Sequence, residues 1–147
     1  MKKKHKVLII KVGYSETLAF DQVAGIHNVT SYGDVLRSTV LLHLFRDDHV
    51  TWVVDEKAYP ILKENPYIDR VLIYNLTSVL QLQAEHFDTV INLEKVPGLC
   101  ALADSIKAWR RYGFRFDSNT GETEAYDGSH IVLEMCRNVE KKKHRKA

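Results

Sequence analysis

Four short apolar runs punctuate the chain: Val7-Leu8-Ile9-Ile10, Val50-Thr51-Trp52-Val53-Val54, Arg70-Val71-Leu72-Ile73-Tyr74 and Thr89-Val90-Ile91-Asn92-Leu93. Apart from Arg70 and Asn92, their residues are apolar or β-branched on consecutive positions rather than on alternate ones. That pattern predicts strands covered on both faces, the condition of a parallel sheet. Arg111-Tyr112-Gly113-Phe114 reads as a short fifth strand. Stretches with helical spacing separate the runs, so strand and helix alternate five times. The expected fold class is α/β, a doubly wound parallel sheet of about five strands with flanking helices.

The helical stretches carry start signals. Ser31 stands as an N-cap with Asp34 three residues on, a capping-box spacing. Leu36, Val40 and Leu44 recur at i, i+4 and i+8, and Val35, Leu41, Leu42 and Phe45 widen that face, with an end near Arg46. Asp55 opens a short helix through Tyr59, Ile61 and Leu62, in which Pro60 is tolerated only in the first turn. A weaker helix runs from about Thr77 to Glu85. Pro97 and Gly98 open another, with Leu99, Leu102, Ala103, Ile106 and Trp109 on one face. Residues 117–128 are polar and Gly-rich and read as a loop. Ser129 then caps a final helix bearing Val132, Met135, Cys136 and Val139.

A length of 147 residues fits one domain, on a scale of roughly 100–200 residues each. The expected organisation is a basic, disordered N-terminus at 1–6, a single α/β domain at 7–140 and a basic tail at 141–147. No apolar run approaches the roughly 18 residues of a membrane-spanning helix. The apolar stretch after Lys2, Lys3, Lys4 and Lys6 is too short for a signal peptide. A cytoplasmic location is expected, with at most peripheral contact with the inner face of a membrane through the basic ends.

The net charge of +2 hides an asymmetry. Nine of the 21 basic residues lie in the two ends, which leaves 12 against all 19 acids in residues 7–140, a net charge of −7. An acidic body argues against a general nucleic-acid surface, which needs massed cations. Cys100 and Cys136 lie among apolar neighbours without metal-binding spacing, and read as small buried hydrophobes.

In an open parallel sheet, ligands bind beyond the carboxyl ends of the strands. Here those positions are 11–34, 55–57, 74–77 and 92–98. No GxGxxG, no P-loop and no Gx-Ser-xG elbow is present, and no His/Asp/Glu spacing suits a metal. What remains is Ser31-Tyr32-Gly33-Asp34. Gly33 permits close approach to the backbone. The helix start offers N–H groups suited to phosphate or carboxylate, and Asp34 has the chemistry of a general base for a hydroxyl nucleophile. On spacing alone the same residues also read as a plain helix cap. Glu94 and Lys95 are placed to line the same cleft. Arg110 and Arg111 read as sheet-edge charges, and His43 as packed or edge-exposed.

Val7-Leu8-Ile9-Ile10-Lys11 followed by Ser31-Tyr32-Gly33-Asp34-Val35-Leu36-Arg37-Ser38-Thr39 resembles the opening of glycosyltransferase family 9, the lipopolysaccharide heptosyltransferases. Val53-Val54-Asp55-Glu56-Lys57, Asn65-Pro66-Tyr67-Ile68-Asp69-Arg70-Val71, Phe87-Asp88-Thr89-Val90-Ile91-Asn92-Leu93-Glu94 and Arg110-Arg111-Tyr112-Gly113-Phe114 match that family's later segments in order. The resemblance covers residues 6–116.

It implies the N-terminal, acceptor-binding Rossmann-like domain of a GT-B enzyme, with inverting, metal-independent transfer from a nucleotide-sugar such as ADP-heptose. It places Asp34 as catalytic base and Lys11, Ser31 and Gly33 around the acceptor, with no cofactor beyond the donor. The implied partners are a sugar or glycolipid acceptor and a second-domain protein or a second copy of the chain. Three departures stand out. Residues 12–30 are an insertion before the Ser-x-Gly-Asp turn. Tyr74-Asn75-Leu76-Thr77 replaces basic residues found in some members, which weakens the expectation of a phosphorylated acceptor. The donor domain is absent from these 147 residues. The alternative expectation is a non-catalytic binding module derived from a truncated transferase.

Overall fold

The computed structural model describes residues 5–13 and 32–130. Ser31, Cys136, residues 1–4, residues 14–30 of the insertion and residues 131–147, with all but the start of the expected final helix, fall outside the described residues, whereas Lys6, expected in a disordered end, opens the first strand.

Six strands form one sheet in the order β3-β2-β1-β4-β5-β6. They are β1 (Lys6–Ile10), β2 (His49–Val54), β3 (Arg70–Ile73), β4 (His86–Asn92), β5 (Lys107–Phe116) and β6 (Thr123–Ala125). The first five are mutually parallel, with Leu8 paired to Thr51 on one side and to Val90 on the other. This is the doubly wound arrangement, and its order reverses between β1 and β4.

Strand residues alternate between two cores. Val7, Ile9, Trp52 and Val54 face a cluster closed by Val35, Leu41, Leu42, Ala58 and Leu62. Leu8, Ile10, Val53 and Val90 face a second one, closed by Leu82, Leu99, Leu102, Ala103 and Ile106. The crossovers after β1 and β2 therefore cover one face, and those after β3 and β4 the other. The consecutive apolar residues of the sequence have this double burial as their cause.

The crossover after β1 departs from a regular helix. Helix α1 (Tyr32–Ser38) tightens into a 3-10 segment at Thr39–Phe45. Ser38 Oγ donates to the Asp34 carbonyl (2.8 Å) and Thr39 Oγ1 to that of Leu36 (2.6 Å), the back-bonding that bends helices. With about three residues per turn the buried stripe slips in phase. Val35, Ser38, Leu41 and Leu42 are buried, whereas Leu36 and Leu44, expected on the inner face, are exposed.

Beyond β2, Asp55 accepts from the Lys57 N–H and caps a 3-10 turn at Glu56–Ala58, which leads into α2 (Tyr59–Leu62) with Pro60 in its first turn. Asn75 caps α3 (Leu76–Ala84), and α4 spans Pro97–Ser105.

Two further expectations are corrected. The α4 helix stops at Ser105, so Trp109 sits on β5 instead of a helix face, exposed, with its ring 6.0 Å from that of His86. The strand is ten residues long because Lys107 to Gly113 pair with β4 and Phe114 to Phe116 pair with β6. Residues 117–128 are not all loop: Thr123–Ala125 pairs antiparallel with β5, Phe114 opposite Ala125. Asp117 organises the turn, accepting from the Gly121 N–H at its carbonyl and from the Asn119 N–H at its side chain. Tyr126 donates its O–H to Asp104, tying this hairpin to α4.

Candidate functional site

The point where the strand order reverses, between β1 and β4, is where such a sheet opens a crevice. The chain leaving β1 keeps its place in the ladder for two residues. The Lys11 N–H donates to the Val53 carbonyl, and the Asp55 N–H donates to that of Val12. Val12, the first residue of the insertion expected at 12–30, is fully buried. Gly13 follows at φ +108°, a left-handed conformation that a side chain would strain.

Across from this turn, the chain leaving β4 carries Glu94, 1% exposed. Its carboxylate Oε1 accepts from the Gly13 N–H at 2.9 Å and lies 3.5 Å from Lys11 Nζ. Burial pushes the Glu94 carboxyl above the usual range; the Lys11 ammonium and the Gly13 and Val12 N–H groups pull it back. Two residues 83 positions apart in sequence thus meet beyond the carboxyl ends of β1 and β4.

Asn92 holds the turn that presents Glu94. Its Oδ1 accepts from the Glu94 N–H (3.0 Å), and its Nδ2 donates to the Glu94 carbonyl (3.1 Å) and the Phe114 carbonyl (2.9 Å). Cys100 Sγ donates to the same Glu94 carbonyl. Burial lifts the Cys100 thiol to about 11, so it is a neutral packing group near pH 7.

The sequence-predicted residues divide as follows. Lys11 and Glu94 come together. Lys95 is exposed beside them, its Nζ 5.2 Å over the Phe114 ring. Asp34 lies in the first turn of α1 and pairs with Arg37; its side chain is 30% exposed. Gly33 is exposed, and a Cβ there meets Arg37 Nη1 at 3.2 Å, so Arg37 lies over the turn. Ser31 falls outside the described residues. The α1 helix is only seven residues long before it tightens, shorter than the run expected from the sequence. The other two strand ends are taken by caps, Asp55 on Lys57 N–H and Asn75 on Ser78 N–H. Arg111 donates to the Ala103 and Ile106 carbonyls, so it is a structural edge charge, while Arg110 is exposed. His43 is exposed, its ring 6.1 Å from that of Tyr67.

Sequence reasoning missed three participants. Asn92 was legible as a polar residue closing an apolar strand. Gly13 was legible as a glycine three positions past β1. Arg37 reaches Asp34 at i+3, a spacing that pairs opposite charges on helices. Among the described residues no group of three His, Cys, Asp or Glu is arranged to hold a metal.

The fold is that of solved GT-B glycosyltransferases. A glycosyltransferase family 9 protein from Veillonella parvula superposes with a TM-score of 0.54 at 18% identity, over 92% of this chain and 41% of its own. The heptosyltransferase WaaC of E. coli with ADP gives 0.54 at 19% identity, over 90% of this chain and 45% of its own. The same enzyme with ADP-2-deoxy-2-fluoro heptose gives 0.52.

Sequence similarity narrows the likeness to heptosyltransferases of glycosyltransferase family 9, over part of the chain. Lipopolysaccharide heptosyltransferase 1 of Campylobacter coli is 29% identical over 105 residues, 63% of this chain and 30% of that protein. No family model matches the sequence. The chain thus spans under a third of the curated relative and under half of the solved neighbours.

Proposed function

We propose that this chain is the acceptor-binding half of a heptosyltransferase-like enzyme, with Asp34 as general base in an inverting, metal-independent transfer. The observation that carries the reading is the Lys11–Glu94 pair at the switch point, on a sheet whose solved neighbours are glycosyltransferases. Asp34 lies in the first turn of the helix that leads from the carboxyl edge of the sheet back toward β2, which supports its assignment to the same edge as Lys11 and Glu94.

In the proposed step Asp34 takes the proton of an acceptor hydroxyl. That oxygen attacks the anomeric carbon of a nucleotide-sugar, and the bond to the nucleoside diphosphate breaks with its electron pair. Arg37 engages its Oδ1 and holds the carboxylate in the first turn of α1. Lys11, Glu94 and Lys95 line the acceptor side with Ser31 and Gly33. The donor, ADP-heptose or a relative, comes from a second domain supplied by another polypeptide or by further sequence. The reaction is assigned to the cytoplasmic side of the membrane. Among the described residues no helix is long and apolar enough to cross a bilayer.

The test is a transfer assay in which the chain is combined with a separately produced family 9 donor domain. Asp34→Asn is expected to lower turnover by about 10²-fold or more, the usual worth of a general base, with an unchanged circular-dichroism spectrum. Retained turnover removes Asp34 from the mechanism. No turnover with any complement favours a binding module.

A further inference from the structure

The amino end of the sheet, opposite the end that carries Lys11 and Glu94, holds a cavity of about 440 Å³. That volume lies within the roughly 300–1,000 Å³ of small-molecule sites. One row of residues across three strands lines it: Val7 of β1 stands beside Thr89 of β4, and Thr89 beside Arg110 of β5. Asp88 and Trp109, one position earlier on β4 and β5, line it too. So do Phe45 and Asp48, where the 3-10 segment gives way to β2.

The polar groups around this space are positioned and left open. Asp88 accepts the Lys6 N–H at 2.8 Å and lies 3.9 Å from His5 Nδ1, both through Oδ2. The Asp48 carboxylate and the Arg110 guanidinium make no hydrogen bond or ion pair among the described residues. Opposite charges therefore border one cavity, two of them on paired strands, without closing on each other. Trp109 is 76% exposed, more than any other large apolar side chain among the described residues. Its ring meets that of His86 at 74°, which orients the indole while most of it stays open.

We propose that this cavity is a carbohydrate site, separate from the acceptor site, that takes a neutral glycosyl ring stacked on Trp109 with its hydroxyls shared among Asp48, Asp88 and Arg110. The inference does not depend on Asp34 or on the transfer reaction. The lining holds acceptor-only carboxylates and a donor-only guanidinium, and a hydroxyl both donates and accepts. An anion meets Asp48 and Asp88, and a cation meets Arg110, so either net charge encounters its like. A small zwitterion satisfies Arg110 and one carboxylate and leaves the other without a partner. A sugar ring meets all three groups, and its C–H face covers the indole, which has an apolar body and room for contact.

The experiment uses the full chain, whose two tryptophans report from the two ends of the sheet. The Trp52 indole N–H donates to the Lys11 carbonyl at 3.0 Å, so its NMR signal follows the carboxyl end. The Trp109 indole signal and the Arg110 amide signal follow the cavity. The probes are a panel of methyl hexosides, with inorganic phosphate, methylguanidinium and glycine as charged comparisons. At least one methyl hexoside is expected to shift the Trp109 and Arg110 signals and to saturate by about 10 mM, as a Kd near 1 mM requires. The Trp52 signal stays in place, and the affinity hardly changes between low and physiological salt. Arg110→Gln and Asp48→Asn should each lower that affinity about tenfold, the least that a hydrogen bond to a charged group is worth. Trp109→Ala, followed at Arg110, should lower it about fivefold or more. An unmoved Trp52 signal in each variant verifies the fold. Asp34→Asn should leave the affinity unchanged.

Four results overturn the proposal. Hexosides that shift Trp52 and not Trp109 place the sugar at the carboxyl end and favour the acceptor reading alone. Tighter binding of phosphate, methylguanidinium or glycine than of any hexoside removes the neutral sugar as the ligand. An affinity unchanged in both Arg110→Gln and Trp109→Ala removes the cavity as the site. Absence of a saturable shift with every hexoside removes the site altogether, and the transfer assay with Asp34→Asn then judges the acceptor reading independently.

Discussion

Lys11 and Glu94 form a largely buried ion pair where the chain leaves β1 and β4. Burial raises the Glu94 carboxyl, with Lys11 the main opposing influence. Removing that influence in Lys11→Met leaves a carboxylate, 1% exposed, without its counter-charge. The expected cost at neutral pH is about 3 kcal/mol, the low end for breaking a buried pair, measured by urea denaturation. Glu94→Gln, in contrast, replaces the ionised group by a neutral one of the same shape and should cost less than about 1 kcal/mol. The pH dependence has a definite sign. A carboxyl whose folded value exceeds its unfolded one binds its proton more tightly in the native state, so the associated stability is present below the unfolded value of 4.5 and is lost as pH rises through the folded value. Wild type should therefore gain on Glu94→Gln as pH falls toward 4.5, and Lys11→Met should gain more; a flat difference between wild type and Glu94→Gln contradicts the raised carboxyl. The residue types of this pair were legible in the sequence as polar groups just past strands β1 and β4. Their meeting was not, because 83 residues separate them and only the strand order brings the two exits side by side.

At the scale of elements, local regularity was read more reliably where tertiary pairing agreed with it. Strands β1 and β2 have the consecutive apolar pattern that double burial requires, and all of β1 to β4 stand close to where their apolar runs placed them. The helix after β1 was misjudged in phase, since Ser38 and Thr39 turn their hydroxyls onto the preceding carbonyls and tighten the turn. β6 was missed because three residues are too few to show alternation, and its position depends on Phe114, Arg115 and Phe116 across the pair. The junction of β4 with β5 supplies a sharp test. Gly113 has φ +96°, and a Cβ there falls 1.8 Å from the Asn92 carbonyl oxygen, where backbone has to give way. Its N–H also donates to the buried Ser129 Oγ at 2.7 Å. Gly113→Ala should destabilise by about 3 kcal/mol or more, as severe backbone clashes do, and should loosen the Asn92 turn that presents Glu94. Gly98→Ala, with nothing within 4 Å of the added carbon, should instead stabilise by up to about 1 kcal/mol as a helix substitution. Denaturation midpoints of the two variants check both signs.

For the whole molecule, the question is whether a chain spanning under half of its solved neighbours stands on its own. The sheet suggests that it does, because each face has a buried cluster built from helices of this chain, and β1, β2, β4 side chains feed both. A strand shared by two cores couples them: Leu8 and Ile10 cannot leave the second cluster without shifting Val7 and Ile9 in the first. One cooperative transition is therefore expected, and each face carries a reporter of its own. Trp52 is fully buried in the first cluster. Cys100 is fully buried on the α4 side, with its thiol held up near 11, so it is inert to alkylation at neutral pH until it is exposed. In a Cys136→Ser background, pulsed alkylation of Cys100 across a urea series should follow the same curve as the loss of native Trp52 fluorescence, read with Trp109→Phe to remove the exposed indole. Superimposable curves make the half-length chain one folding unit, with the Lys11–Glu94 pair as part of its rigid interior. Labelling of Cys100 at lower urea means that the α3–α4 face opens first. Glu94, whose carbonyl Cys100 contacts at 3.2 Å, then depends on a covering surface that lies outside the described residues.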